Sequence, residues 1–212
     1  MSQKSIVHNP FKINQMFEAE LCEYTGAPFC VTVDSCTIAL FLCAEYLKRY
    51  VYKELPEVTV PKRTYLSVPQ SFLHAGYKIK FKDITWNGYY QLDPTPIIDS
   101  AKWLTSDMYI QSSLTCLSFH SKKQLAISRG GAILTDNKIA YEKLKRMRYD
   151  GRGECNYRDD DITELGYNCY MSPEQAAHGL NLLANYPRHT EPLIEDPPYR
   201  DLTTFTVFKN LC

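Results

Sequence analysis

No run of about 18 apolar residues occurs anywhere in the 212-residue chain, so nothing in it reads as a membrane span. Neither sign of charge is in excess, because 24 basic and 24 acidic side chains give a net charge of zero. A balanced chain carries no global field to draw in nucleic acid or an anionic membrane. Residues 1–11 lack the apolar stretch of a secretory signal, and a cytoplasmic protein is expected. No two cysteines have the C-x-x-C spacing of a zinc knuckle or a redox pair, so no metal site is expected. The eight cysteines, Cys22, Cys30, Cys36, Cys43, Cys116, Cys155, Cys169 and Cys212, read as free thiols, several of them among apolar residues. Reduced thiols suit the same compartment. Internal repeats and low-complexity segments are absent too.

What is present is an alternation of short strands and helices. Ile13, Met16, Phe17, Leu21 and Tyr24 fall on one helical face, and Gly26 follows as a stop. Residues 29–33 are apolar and strand-like, and they lead through a polar turn at 34–37 into an apolar helix from Ile38 to about Val51. Further strands are expected at 58–60, 78–81, 97–98, 114–119 and 132–135, with helices near 67–75 and around Tyr141, Leu144 and Met147. Ser172-Pro173-Glu174-Gln175 is a strong helix start, with a capping serine, proline at the first helical position and a glutamine to complete a capping box. From about Tyr186 the tail is rich in proline (Pro187, Pro192, Pro197, Pro198) and reads as irregular, with a strand-like piece at 203–207.

This order predicts an α/β fold with a mainly parallel central sheet flanked by helices. Ligands in such folds sit at the carboxyl ends of the strands. The polar clusters at 34–37, 99–102 and 118–123 each follow a strand-like run, and they are expected to converge on one site.

Several segments then resemble one family. Ser118-Phe119-His120-Ser121-Lys122-Lys123-Gln124-Leu125, followed by Gly130-Gly131-Ala132 and Thr135-Asp136-Asn137, is similar to the S-F-H-x-x-K-x-L block, glycine pair and T-N/D-D of the DegT-like sugar aminotransferases. Glu23-Tyr24 with Gly26, and Ser35-Cys36-Thr37-Ile38-Ala39-Leu40, resemble its E-Y-x-G and S-G-T-x-A-L. Val58, Val60-Pro61 and Thr64-Tyr65 resemble V-x-V-P-x-x-T-F, and Ile98-Asp99-Ser100-Ala101 resembles I-E-D-A-A. Gly166-Tyr167-Asn168, then Met171-Ser172 and Gln175-Ala176-Ala177, resemble G-Y-N-Y-R-M-S-x-x-Q-A-A. The blocks stand in the family's order and cover most of residues 15–185.

The resemblance implies the aspartate-aminotransferase-like fold, pyridoxal 5′-phosphate (PLP) as cofactor, and transfer of an amino group from a donor such as glutamate to a keto-sugar nucleotide. It implies that Lys123, not Lys122, holds the cofactor as a Schiff base and shuttles a proton. It assigns Asp99 to the pyridine nitrogen, Tyr65 to the cofactor face, and Ser35, Cys36, Thr37 and Ser118 to the phosphate at a helix N-terminus. Asn168 matches a residue that family dimers contribute to the neighbouring subunit's site, so a homodimer with the cofactor at its interface is expected. Residues 1–150 would form the cofactor-binding domain, and residues 151–212 an abbreviated C-terminal segment packed on it.

Taken singly, each of these residues has an ordinary explanation. A loop lysine is usually solvated, an aspartate closing a strand is commonly a turn residue, and Ser35 and Thr37 can simply cap a helix. Their joint order and spacing argue for the site. The chain also departs from the pattern. The block at 90–94 runs almost directly into Ile97-Ile98-Asp99, where the family inserts a strand and a helix, and a short tail follows about Ala184 in place of a C-terminal domain. Cys36 replaces a glycine, Lys102 stands where a glutamine or histidine lies over the cofactor, Arg129 replaces a glutamate and Tyr170 an arginine. A non-catalytic binding or subunit-association protein and a different PLP-dependent reaction stay open as alternatives.

Overall fold

The computed structural model describes residues 9, 11–194 and 198–209. Most of the 1–11 stretch, Pro197 of the proline-rich tail and Cys212 therefore lie outside the described residues. Helix α1 (Lys12–Thr25) stops where Gly26 takes a left-handed conformation and donates its N–H to the Cys22 carbonyl. Strand β1 (Phe29–Val33) leads into helix α2 (Cys36–Tyr50). This helix begins two residues earlier than its apolar run, because the Ser35 side chain caps it by accepting from the Ile38 N–H. A β–α–β unit follows, made of β2 (Val58–Pro61), α3 (Ser67–His74) and β3 (Ile79–Lys82), whose strands pair in parallel.

Next come β4 (Tyr90–Gln91), β5 (Ile97–Asp99), β6 (Leu114–Ser118) and β7 (Gly131–Thr135). Helix α4 (Lys138–Met147) and helix α5 (Pro173–Leu183) follow, and α5 forms the full Ser172–Gln175 capping box. The main sheet has the order β1-β7-β6-β5-β4, and β2 and β3 make a separate pair. Among the described residues, only β5 and β6 are adjacent parallel neighbours in the main sheet. β7 pairs antiparallel with both β1 and β6, and β4 antiparallel with β5. The sheet is thus mixed. The chain returns antiparallel at β5 and β7 through connections that contain no helix. Even so, β1, β5 and β6 point the same way, since β7 reverses direction twice over between β1 and β6.

Helices cover both faces of this sheet. Val31, Val33, Cys116 and Ile133 face α2, α3 and α4, while Cys30, Leu117, Ala132 and Leu134 face α1 and α5. Alternate residues of one strand entering two different cores is the pleat made visible. It also explains why these strands read as continuous apolar runs. No helix among the described residues is long and apolar enough to cross a membrane.

The tail corrects one expectation. Residues 203–207 are not a strand; a 3-10 turn at Leu202–Thr204 precedes a short helix α6 (Thr206–Lys209). The Asp201 carboxylate accepts from the Thr203 N–H at 2.9 Å, and this local cap outweighs the strand propensity of the threonines and Val207. Phe208 is buried with its ring 5.5 Å from that of Phe81.

Between α1, β1 and α4 lies a buried ionic network. Arg148 is fully buried and bonds Glu18, Glu154 and the Thr32 carbonyl, and Lys145 reaches Glu18 at 3.0 Å. Burial raises the Glu154 carboxyl, but the charges of Arg148 and Lys145 outweigh it and hold that carboxyl below its usual range. Arg148→Met leaves the buried Glu18 and the partly buried Glu154 without their main partner and is expected to cost about 3–5 kcal/mol in urea denaturation at neutral pH. Stability gained from a depressed carboxyl is present above its unfolded pKa and disappears as pH falls through the folded value. The difference between Arg148→Met and the parent must therefore shrink in acid. A cost independent of pH would show that Glu154 is not charged in the network.

Candidate active site

Because β1, β5 and β6 run in one direction, their carboxyl ends open on the same side of the sheet. Each ends in a polar residue: Asp34 and Ser35 after β1, Asp99 as the last residue of β5, and Ser118 as the last of β6. A cavity of about 480 Å³ lies there. Its wall includes Ser35, Cys36, Thr37, Tyr65, Asp99, Lys102, Ser118 and Lys123, all expected from the sequence. Asn168 is not in this wall; its amide donates to the Asp150 carboxylate at 3.0 Å, beside a short bridge to Tyr149.

Each side chain is placed by its element. Ser35 precedes the first turn of α2, donates to Asp34 Oδ1 at 2.8 Å and caps the helix, so the helix's free N–H groups face the cavity region. The Thr37 hydroxyl meets the Ser67 hydroxyl at 2.8 Å and ties α2 to α3. Gly131 makes room for the helix entry. A Cβ there would stand 2.5 Å from the Ser35 carbonyl carbon and 2.6 Å from the Cys36 nitrogen. The absence of a side chain at Gly131, the second of the glycine pair, lets β7 and the start of α2 touch. Cys36 instead turns its side chain into the core, where burial pushes the thiol well above its ordinary range and the nearby Asp99 adds to the shift.

Lys123 sits on the loop between β6 and β7. That loop is closed like a hairpin: the N–H of Phe119 bonds the Gly130 carbonyl at 2.9 Å, and the Ile127 N–H bonds the Phe119 carbonyl at 3.0 Å. Leu125 and Ile127 are buried beneath it. The Lys123 N–H bonds the His120 carbonyl at 2.8 Å, so the backbone that presents this lysine is fixed. Its charge acts on Asp99 and on Cys36, while the neighbouring Lys122 is exposed.

Asp99 is only 5% exposed. Its Oδ2 accepts from the Tyr90 hydroxyl at 2.6 Å and its Oδ1 from the Ala101 N–H at 2.9 Å. Burial raises its pKa above the ordinary value, and the bonds from Tyr90 and Ala101 together with the Lys123 charge offset part of the rise. Lys102 is likewise 5% exposed, with its ammonium 5.5 Å from the centroid of the Tyr199 ring. Tyr65 is 55% exposed and meets Tyr199 edge-on at 6.5 Å.

Part of the wall had no signal in the sequence. Leu193, Ile194 and Tyr199 of the tail, together with Trp86, close one side. The rings of Trp86 and Tyr199 stack at 6.3 Å. The tail is strapped down by bonds from the Leu193 N–H to the Lys102 carbonyl, from Gln124 to the Glu191 carbonyl and from Trp103 to the Thr190 carbonyl. A proline-rich tail carries no periodicity that could reveal such a path. Lys122 and Arg129 also line the cavity, and the Arg129 guanidinium pairs with the Asp34 carboxylate at 3.0 Å.

The fold is α/β layered, and its cavity lies at the carboxyl ends of co-directional strands, where such folds bind their ligands. The chain belongs to the DegT/DnrJ/EryC1/StrS aminotransferase family, whose model matches residues 2–101 and 110–192. It is 27% identical over 224 residues to a UDP-4-amino-4,6-dideoxy-N-acetyl-beta-L-altrosamine transaminase of Campylobacter jejuni, a match covering 85% of this chain and 58% of the relative. It is 26% identical over 223 residues to the spore coat polysaccharide biosynthesis protein SpsC of Bacillus subtilis, covering 80% of this chain and 56% of that protein. Among solved structures, Helicobacter pylori PseC, an aminotransferase involved in the biosynthesis of pseudoaminic acid, superposes with a TM-score of 0.68 at 19% identity. That match covers 83% of this chain and 58% of PseC. AtS13 from Actinomadura melliaura gives 0.70 at 20% identity, covering 82% and 60%. The chain therefore spans under two thirds of the length of these relatives.

Gly131→Ala tests the contact that sets the start of α2. A clash with backbone cannot be relieved by rotating a side chain, so a loss of about 1–3 kcal/mol is expected in denaturant unfolding. Unchanged stability would show that β7 and the α2 entry do not touch.

Proposed function

We propose that the chain is the cofactor-holding part of a PLP-dependent aminotransferase that moves an amino group from an amino-acid donor, glutamate being the expected one, to a keto-sugar nucleotide. The observation that carries this reading is the convergence of a buried carboxylate, Asp99, and the loop-borne amine of Lys123 on one cavity that the start of α2 also lines. The donor set fits PLP. A carboxylate kept from water suits a ring nitrogen that must stay protonated, hydroxyls and free helix N–H groups suit a phosphate, and a primary amine suits an aldehyde. The volume is within the range of small-molecule sites.

In this reading Ser35, Thr37, Ser118 and the first turn of α2 would hold the phosphate, and Asp99 the ring nitrogen. PLP, when bound, supplies an electron sink for the carbon that carries the amine. Lys123 would hold the cofactor at rest and then carry the proton between carbon atoms on one face of the site. Tyr65 and Lys102 would flank the ring. Leu193, partly buried, brings apolar surface to the cavity.

The name of the Campylobacter jejuni relative supports a UDP-sugar as the acceptor. The position of Asn168 outside the cavity supports its expected use in the site of a second copy, and with it a homodimer. Residues 1–150 would then be the cofactor-binding part and residues 151–212 the segment that packs on it, as α5 does on α1. Free thiols at Cys30, Cys43 and Cys116 suit a cytoplasmic location.

The test is a visible spectrum of the purified protein with PLP, beside Lys123→Ala, before and after L-glutamate. A visible band that the variant lacks and that glutamate converts to near-ultraviolet absorption is the expected result. A band that glutamate leaves unchanged points to another donor or another PLP-dependent reaction. No band in the parent protein overturns the catalytic reading and favours a non-catalytic binding protein.

A further inference from the structure

β4 is only two residues long, yet its first residue pairs directly with Asp99 in the antiparallel register. That residue is Tyr90, and its hydroxyl donates to Asp99 Oδ2 at 2.6 Å. The same hydroxyl lies 2.5 Å from Thr64 Oγ1. All three side chains are buried, and of the three only Tyr90 is absent from the cavity wall. Tyr90 therefore sits behind the carboxylate. With Tyr90 donating to Asp99, the threonine hydroxyl is the donor to Tyr90, and the chain of bonds runs Thr64 to Tyr90 to Asp99. Each carboxylate oxygen can accept two bonds, so the two received from Tyr90 and Ala101 leave acceptor capacity for a ligand.

We propose that Tyr90, backed by Thr64, is a positioning residue that fixes the Asp99 carboxylate and keeps it ionised for a positively charged ring nitrogen. The inference rests on the cofactor reading above. A donated hydrogen bond favours the charged form of a carboxylate, and burial opposes it. The other ionisable groups that act on Asp99 come from the elements around it: Cys36 of α2, Cys116 of β6 and Lys123 of the β6–β7 loop. Burial pushes both thiols well above their ordinary range, so they stay neutral. Burial and the Asp99 charge push the Tyr90 phenol up as well, and it remains a donor across the working range of pH. Lys102, three positions along the chain, lines the same cavity. Tyr90 is thus the neutral donor that offsets the desolvation of Asp99 without adding charge beside it.

The measurement is the equilibrium affinity of the apoprotein for PLP across pH, read by tryptophan fluorescence, since Trp86 lines the cavity. The parent, Tyr90→Phe, Thr64→Val and Asp99→Asn are compared. Tyr90→Phe keeps the ring and removes only the bond. Its PLP dissociation constant is expected to rise roughly tenfold at neutral pH, the usual effect of losing a bond to a charged group. Its affinity must also begin to fall at a higher pH on acidification, because the carboxyl then protonates more readily. The ionisations of PLP are common to all the variants, so this displacement reads the protein alone. Thr64→Val should move both quantities in the same direction by less, and Asp99→Asn should abolish the acid limb. A Tyr90→Phe protein with the parent's affinity and pH profile overturns the proposal. Should that variant not fold, an unchanged profile in Thr64→Val overturns it equally. A parent that binds no PLP overturns the cofactor reading and this inference together, whereas failure of the variants alone sinks only the inference.

Discussion

A carboxylate removed from water costs several kcal/mol unless hydrogen bonds and opposite charge replace its hydration. Asp99 is buried at the carboxyl end of β5 in that condition, and much of the surrounding structure answers to it. Two donors reach it, one from the backbone at Ala101 and one from Tyr90 on the neighbouring strand. Lys123 supplies opposite charge from a loop that could not hold it there without its closed base and the buried Leu125 and Ile127. The short strand β4, too small to contribute much to the sheet, sets the register that brings Tyr90 opposite Asp99. A residue as well provided for as this is held where it is by the surrounding fold, and its one open direction is the cavity.

The layered architecture was legible in the sequence because its causes are local. Apolar residues at helical spacing in α1, the serine–glutamine box of α5 and the β-branched run of β1 each act through near neighbours. Sheet direction was less legible. Whether β7 enters parallel or antiparallel depends on the connection before it, and a loop closed on itself leaves no distinct apolar pattern. Strand propensity at 203–207 lost to the Asp201 cap for a related reason: a strand needs a partner edge, while a capped turn needs only itself. The strands that do run together, β1, β5 and β6, are the ones whose ends carry the polar clusters, so the reading of the site survives the mixed sheet.

For the site, the legible residues were those placed by chain order. Ser35, Asp99, Ser118 and Lys123 each follow a strand within a recognisable block, and they meet in one cavity. Residues joined only by the tertiary path were not legible. Trp86 and Tyr199 come together through the tail's hydrogen bonds to the segment 102–124, and Tyr90 acts through a cross-strand pairing. Asn168 shows the converse. It lies in a recognisable block but away from the cavity of its own chain, bound to Asp150. Motif order can say that a residue belongs to a family's chemistry, but not that it serves the cavity of the same subunit.

Position 36 shows how a departure from a pattern can be absorbed. A glycine in a phosphate loop removes a side chain so that backbone can approach closely. Here the side chain of Cys36 is present but buried, and the close approach occurs on its other flank, where Gly131 leaves no Cβ to collide with Ser35 and Cys36. Because the thiol is held neutral by burial, it adds no negative charge beside the cavity. Lys102, buried in the same wall, rests against the Tyr199 ring, which can accommodate a cation. Both departures are thus absorbed by their surroundings, the thiol by the core and the ammonium by an aromatic ring of the tail, a part of the wall that the family pattern did not identify.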